Sequence, residues 1–361
     1  MKAQPQKILI VKMSSLGDVI HTLPALATLR KNYPEAFIAW VIEETFQDLL
    51  HNNPDLDEVI VVRLKHWRRH WNMKSLNEFF TFLRKLRRHR FDVLLDFQGL
   101  IKSGLIALLS GIPQRMGYHP ANCRERMNSW FTNKKVPFID KNTHSVDKNL
   151  FLVKTFGAKT TVMEYSIGVP IEAEESARHF LRSNPDLTAS PIVGIHPGVG
   201  YKIKSWELSR FAELSDRIAK ELGCNILLTW GPGEEEKINA LSAMIKSRHW
   251  TAPPNNMANS LALFKRLNLL VSCDTGPVHI CASYSVPTVA IHGPTNPDLL
   301  GPRAPIHEAV YQVLPCSFCY KRSCPTQNEC MTGVTVEDVF KAVKKSVLKN
   351  VKIPQAENFV S

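Results

Sequence analysis

Three groups of residues in this chain have the types and spacing to work on an anionic, hydroxyl-bearing substrate. The first is Lys12-Met13-Ser14-Ser15-Leu16-Gly17-Asp18, directly after the apolar run Ile8 to Val11. That run is too short for a helix and too continuous for a half-exposed strand, so it reads as a parallel strand covered on both faces. Asp18 then stands past the strand's carboxyl end, where open α/β sheets bind ligands, and Gly17 permits a tight turn there. A carboxylate so placed can take a proton from a substrate hydroxyl, although a lone Asp is equally a turn or cap residue. With Thr22 as a cap and Pro24 in a first helical turn, Met13 to His21 is expected as an ordered loop.

The second group also lies at strand exits. His196-Pro197-Gly198-Val199-Gly200 is a Gly-rich turn whose N–H groups can hold a phosphate, with Lys202 and Lys204 to neutralise it. Trp230-Gly231-Pro232-Gly233-Glu234-Glu235 brings carboxylates that can accept from a ribose diol, and acids there also suit a helix start. Ser272-Cys273-Asp274-Thr275-Gly276-Pro277-Val278-His279 ends a buried strand and opens a helix whose free N–H groups would face a diphosphate. His279 by itself equally suits a core. No Walker sequence or spaced dinucleotide fingerprint accompanies these turns, which argues against a P-loop kinase or a Rossmann dehydrogenase.

The third group is cationic. Arg63 to Trp71 carries Lys65, Arg68 and Arg69 with Trp67 and Trp71 and shows no helix or strand period, so a surface loop is expected. Gln98 to Ser103 and Arg115 to Arg126 lie on the same ligand side of the first half. Lys12, Lys65, Arg68, Arg69, Lys102, Arg124 and Arg126 are the candidate members of an anion-binding rim, with the rings suited to a sugar surface. A charge run of this kind is also what an ordinary solvated face looks like. Cys316, Cys319, Cys324 and Cys330 offer four thiolates to a structural zinc, at spacings irregular for a zinc ribbon; free thiols or an incidental disulfide are the alternatives.

The elements that must position these groups alternate strand and helix. Phe37 to Ile42, Glu58 to Val62 and Phe91 to Asp96 follow the first strand, with a helix over Leu76 to Arg88. A second series starts at Pro191 to His196 and continues through a helix near Glu207 to Leu222 and a strand over Asn225 to Trp230. This alternation implies doubly wound parallel sheets. The extended stretch Tyr165 to Pro170 marks a boundary, giving domains of 1–168 and 169–334 and a final amphipathic helix within 335–361. A length of 361 residues suits two such cores better than one. The net charge of +12 favours anionic partners. No run of 18 apolar residues and no signal-peptide core is present, so a cytoplasmic protein is expected.

Lys12 to Leu26, Gln98-Gly99-Leu100 with Lys102-Ser103, Arg124-Glu125, Lys204-Ser205-Trp206, Trp230-Gly231 and the Asp274-Thr275-Gly276 turn with His279 together resemble the lipopolysaccharide heptosyltransferases, glycosyltransferase family 9. The resemblance runs from Lys7 to about Pro302 and implies the GT-B fold, two Rossmann-like domains facing each other across a cleft, with the last helix returning to the first domain. It implies an inverting transferase that needs no metal or other cofactor, with Asp18 as general base and Lys204 stabilising the departing ADP. Donor contacts would come from His196, Gly198, Lys204, Trp230, Gly231, Glu234, Glu235, Asp274, Thr275, Gly276 and His279. Acceptor contacts would come from Lys12, Ser14, Ser15, Gly17, Lys65, Arg68, Arg69, Gln98, Lys102 and Arg124. The partners implied are ADP-heptose and a phosphorylated lipid A at the inner membrane surface, with no nucleic acid, and a monomer is expected. Trp40 to Glu44 and the Trp67 loop look most like heptosyltransferase I, which acts on the Kdo of Kdo2-lipid A. The Cys-rich tail looks more like heptosyltransferase II. A sugar-nucleotide epimerase of the same fold, or a polyanion-binding protein without turnover, are the readings of another class.

Overall fold

The computed structural model describes residues 5–70, 72–254 and 256–351, and the chain divides into two compact units between Gly168 and Val169. In the first unit the order is β1 (Lys7–Val11), α1 (Leu16–Ile20), α2 (Leu23–Asn32), β2 (Phe37–Glu43), β3 (Glu58–Val62), α3 (Leu64–Arg69), α4 (Met73–His89), β4 (Val93–Asp96), α5 (Ile101–Leu109), β5 (Gln114–Gly117), β6 (Lys134–Lys135) and α6 (Ser145–Phe156). The second unit runs through α7 (Ile171–Arg182), α8 (Pro185–Thr188), β7 (Ile192–His196), α9 (Leu208–Leu222), β8 (Asn225–Leu228), α10 (Glu235–Met244), β9 (His249–Thr251), α11 (Met257–Phe264), β10 (Leu269–Cys273), α12 (Gly276–Ser283), β11 (Thr288–His292), α13 (Pro297–Leu300), β12 (Glu308–Tyr311), α14 (Glu329–Thr332) and α15 (Val336–Asn350).

Each unit holds one six-stranded parallel sheet, ordered β3-β2-β1-β4-β5-β6 in the first and β12-β11-β10-β7-β8-β9 in the second. The second order is the first repeated with every strand number raised by six and viewed from the other edge. Helices flank both sheets, which is the doubly wound GT-B architecture expected from the sequence. The central strands are closed to water: Ile8 to Val11 and Leu269 to Val271 are all 0% exposed. Such burial on both faces is what selects continuous apolar runs over alternation. In each sheet the chain leaves the central strands in opposite directions at β1/β4 and β7/β10, and the loops after those strands are where ligand-binding groups are expected.

Two expected loops are helical. Leu16–Ile20 closes one short helix with a Ser15–Asp18 capping box, so the stretch after β1 is a turn and a helix instead of an open loop. Arg63 to His70 contains α3, and Trp67 is 6% exposed, its ring against Phe79 and Phe82 and its indole N–H donating to Glu78 at 2.9 Å. Trp67 is therefore core, not a sugar platform, and Leu64 three residues earlier packs against the same cluster. Trp71 lies outside the described residues. The last helix also departs from expectation: α15 buries Val336, Val339, Phe340, Val343 and Val347 against α9 and beside β11 and β12, so its apolar face is used within the second unit. Arg217 of α9 lies over the Phe340 ring at 3.9 Å and pairs with Glu337.

One glycine is needed for close packing. A Cβ on Gly104 of α5 would come within 2.5 Å of the Phe131 ring and 3.1 Å of the Asn128 amide. Gly104→Ala is expected to lower the thermal midpoint, because overpacking costs about 1–3 kcal/mol and exceeds the gain of about 1 kcal/mol in helix propensity. Thermal unfolding checks this, and an unchanged or raised midpoint would show that Phe131 yields freely.

Candidate functional site

In the first unit the site is assembled on the exits of β1 and β4. Asp96 ends β4, is fully buried, and accepts from Gln98 N at 2.8 Å, Gly99 N at 3.3 Å, Ser103 Oγ at 2.8 Å and Asn128 Nδ2 at 2.7 Å. Burial pushes its carboxyl pKa up, against the pull of these donors. The turn that Asp96 folds presents Gln98, whose side chain accepts from Met13 N at 2.8 Å and Ser14 N at 3.0 Å and donates to Ser14 O at 2.7 Å. Gln98 is thus committed to the backbone of the first loop. Lys12 is similarly engaged, its ammonium donating to Phe97 O at 2.8 Å.

This clamp sets the start of α1 and hence Asp18. The Asp18 Oδ2 accepts from both Ser15 N at 3.0 Å and Ser15 Oγ at 2.8 Å, while Oδ1 takes no hydrogen bond among the described residues. Burial pushes the Asp18 carboxyl up, but the Lys12 charge and the two Ser15 bonds outweigh it and leave the pKa below its ordinary value. Asp18 is therefore both a helix cap, as its bland reading held, and an ionised carboxylate with one oxygen available.

The cationic side chains gather unevenly. Lys102, half-buried on α5, reaches Ser14 Oγ at 3.4 Å. Its pKa is lowered by burial, with Glu43 opposing and the Lys65 and Arg68 charges adding to the fall, so these four groups share one neighbourhood. Lys65 lies over the Phe46 ring at 5.3 Å. Arg68, Arg69 and Arg124 are exposed, and Arg124 sits where the chain passes close against Gly99, whose φ of +65° is the turn that allows the approach. Gly17 lies inside α1 and Ser14 just before it.

In the second unit the site centres on Asp274, which follows β10 and is 4% exposed. Its Oδ2 accepts from Lys204 Nζ and from Thr295 Oγ1, each at 2.6 Å, and Lys204 also donates to the Asp274 carbonyl at 3.1 Å. His279 Nε2 lies 3.8 Å from Oδ1. Burial pushes this carboxyl up, yet the His279, His292 and Lys204 contributions hold it well below its ordinary value of 3.8. Lys204 is thereby fixed at the start of α12, where Thr275 is the N-cap, makes no side-chain cap bond, and leaves the Gly276 end open to an anion.

The other expected residues serve turns as well. Glu234 folds back so that Oε2 accepts from Gly231 N at 2.9 Å, and a Cβ on Gly198 would collide with its carboxylate, which explains that glycine. His196 faces Thr229 at 3.2 Å, and burial lowers its pKa to about 4, so its 3.8 Å approach to Glu234 is not an ion pair. Trp230 is buried and donates to Ala252 O at 2.8 Å, and Glu235 opens α10. Sequence reasoning passed over Asp96 and Asn128, and it gave no separate role to His292 and Thr295, although the run Pro287 to Thr295 that holds them resembles part of the family's donor-binding region. Only the strand-end position of Asp96 marks it, and Asn128 acts through contacts distant in the chain. His292 is fully buried, and neither ring nitrogen has a hydrogen-bond partner among the described residues. Cys316 and Cys319 are exposed and Cys330 is buried against Gly293. Burial and the neighbouring Cys319, Cys324 and Cys316 raise the Cys330 pKa, so the four thiols share one neighbourhood, although no group of three metal-capable side chains is arranged to hold an ion among the described residues.

Known proteins similar to this chain show its family and fold. The model of glycosyltransferase family 9, described as heptosyltransferase, matches residues 79–329. Lipopolysaccharide heptosyltransferase 1 of Pseudomonas aeruginosa is 30% identical, over 89% of this chain and 88% of its own. Lipopolysaccharide heptosyltransferase 2 of Escherichia coli is 25% identical over 82% of this chain and 85% of its own. Among solved structures, a family 9 glycosyltransferase from Veillonella parvula superposes with a TM-score of 0.82 at 25% identity, covering 95% of this chain and 97% of that one. The E. coli heptosyltransferase WaaC with ADP gives a TM-score of 0.75 at 26% identity, covering 94% and 99%.

The buried pair has a pH signature. Because the Asp274 pKa is depressed on folding, its stabilisation is present above about 3.8 and is lost only as the pH falls through the lower folded value. Lys204→Met removes one of the cations that depress it, so the second unit should unfold at a higher pH on acidification than in the unaltered chain. Acid titration followed by circular dichroism measures this, and an unmoved acid midpoint would show that the pair contributes nothing.

Proposed function

The chain belongs to glycosyltransferase family 9, the heptosyltransferases of lipopolysaccharide core biosynthesis, and on that premise we propose that it moves L-glycero-D-manno-heptose from ADP-heptose to the Kdo of Kdo2-lipid A. The observation that carries the chemistry is Asp18: one carboxylate oxygen is held by Ser15 while the other is left to receive a proton. The acceptor hydroxyl gives its proton to Asp18 as it attacks the anomeric carbon, and ADP departs from the opposite face. An ionised carboxylate suffices, since the hydroxyl becomes acidic only as its bond to carbon forms.

Lys204 meets the charge that grows on the departing diphosphate, together with the N–H groups at the start of α12. Its ammonium is preorganised by Asp274, so no reorientation is needed as the charge develops. Gln98 acts as a positioning residue through Met13 and Ser14. Lys65, Arg68, Arg69, Lys102 and Arg124 receive the anionic acceptor, and bidentate pairing by Arg suits its carboxylate and phosphates. The first-heptose reaction is favoured over the second by the higher identity to the type 1 relative, 30% against 25% for type 2. An acceptor bearing no heptose should therefore be used, and one already carrying a heptose should not.

Asp18→Asn keeps one acceptor for the Ser15 cap but cannot take a proton. Single-turnover heptose transfer should fall about a hundred- to ten-thousand-fold, with ADP affinity from calorimetry unchanged. Lys204→Ala should weaken ADP binding as well as transfer. A folded Asp18→Asn chain that transfers heptose at the original rate would return Asp18 to a capping role alone.

A further inference from the structure

The first unit exposes apolar surface that neither its core nor its proposed chemistry requires. Among the described tryptophans, Trp40, Trp67, Trp206 and Trp230 are buried and Trp250 is half-buried, but Trp130 is 75% exposed. It lies on the 3₁₀ turn Arg126–Trp130 with Met127, 45% exposed, and that turn packs directly on α5 through Asn128, Phe131 and Gly104. On α5 itself Leu105 and Leu108 are 43% and 47% exposed, three residues apart on the outer side of the helix. Four large apolar side chains on two packed elements are thus turned to solvent.

Cations bracket them. Arg126 is exposed and precedes Met127. At the other end Arg87 of α4, also exposed, donates from Nε at 3.1 Å and Nη2 at 2.9 Å to Leu109 O, beside Leu108. Indole and leucine side chains flanked by arginines are the composition that partitions into the interfacial layer of a negatively charged bilayer, with the rings at headgroup depth and the guanidiniums on phosphates. A self-association surface has no use for arginines at both ends, since a second copy would bring like charges.

We propose that Leu105, Leu108, Met127 and Trp130, with Arg87 and Arg126, dock the first unit onto an anionic phospholipid bilayer. The patch stands on its own geometry; its purpose rests on the heptosyl-transfer reading, because α5 also carries Lys102, which reaches Ser14 just before Asp18. A helix seated on the membrane by Leu105 and Leu108 would hold the acceptor site close to a sugar whose lipid stays in that membrane.

The test is co-sedimentation of the full chain with vesicles of phosphatidylglycerol and of phosphatidylcholine, with no sugar nucleotide or acceptor present. Binding to phosphatidylglycerol and not phosphatidylcholine is expected. The pair Leu108→Ser with Trp130→Ser should weaken it about ten- to a hundredfold, as expected for removing two anchoring apolar groups from the interface. The pair Leu105→Ser with Met127→Ser, checked for an unchanged thermal transition, should act in the same direction. Transfer to a water-soluble deacylated acceptor should be unaffected in both. Vesicle binding unaltered in both double variants would overturn the proposal. So would absence of binding in the unaltered chain, or self-association in solution that the substitutions abolish. Failure of heptose transfer with vesicle binding intact would count against the proposed reaction and leave the docking surface standing.

Discussion

Both units depend on one constraint, a buried carboxylate at the carboxyl end of the strand next to the first strand of its sheet. Asp96 ends β4 and Asp274 stands just past β10, the strand that takes the place of β4 in the second repeat of the same strand order. An ionisable group in such a place must be satisfied or it destabilises the fold by several kcal/mol. The two units satisfy it in opposite ways. Asp96 has only neutral donors, and burial shifts its pKa up. Asp274 has an ammonium and an imidazole, and its pKa is driven down. The first therefore works as a scaffold that folds a turn, and the second as an anchor that holds a cation in place.

The consequences run outward from these anchors. Through Gln98 the Asp96 turn fixes the backbone at Met13 and Ser14, and through Ser15 that backbone fixes the orientation of Asp18. Through Asp274 the second unit holds Lys204 beside the open end of α12. Proton acceptance and stabilisation of a leaving diphosphate make opposite electrostatic demands, one for an available anion and one for a fixed cation. In the proposed reaction each is met in its own unit, so each can be tuned by its own neighbours.

Much of this was legible in the residues alone. Continuous apolar runs such as Ile8 to Val11 read as strands covered on both faces, and Gly198 marked the turn after β7, whereas Gly17, read as a turn residue, lies inside α1 and Gly276 opens α12. What stayed hidden depends on contacts far apart in the chain. Trp67 in a run of cations looked like surface, because its partners Phe79 and Phe82 lie on the next helix. Gln98 looked like a ligand contact, because its bonds reach back to residues 84 and 85 positions earlier. The apolar face of α15 gave no indication of which sheet it covers, since one stripe of Val and Phe fits either. Four cysteines within fifteen residues suggested a metal by number, but their unequal burial, with Cys316 and Cys319 exposed, Cys324 half-buried and Cys330 buried, was not legible in their spacing.

The stereochemistry of the product tests the mechanism most directly. Nuclear magnetic resonance of the acceptor after reaction with ADP-heptose reports the configuration of the new linkage. Attack by an Asp18-assisted hydroxyl on the face opposite the departing ADP requires a single product whose anomeric configuration is inverted from that of the donor, with one ADP released per heptose transferred. A linkage of retained configuration would require two successive displacements through a covalent intermediate, and would contradict a mechanism in which Asp18 serves only as a base.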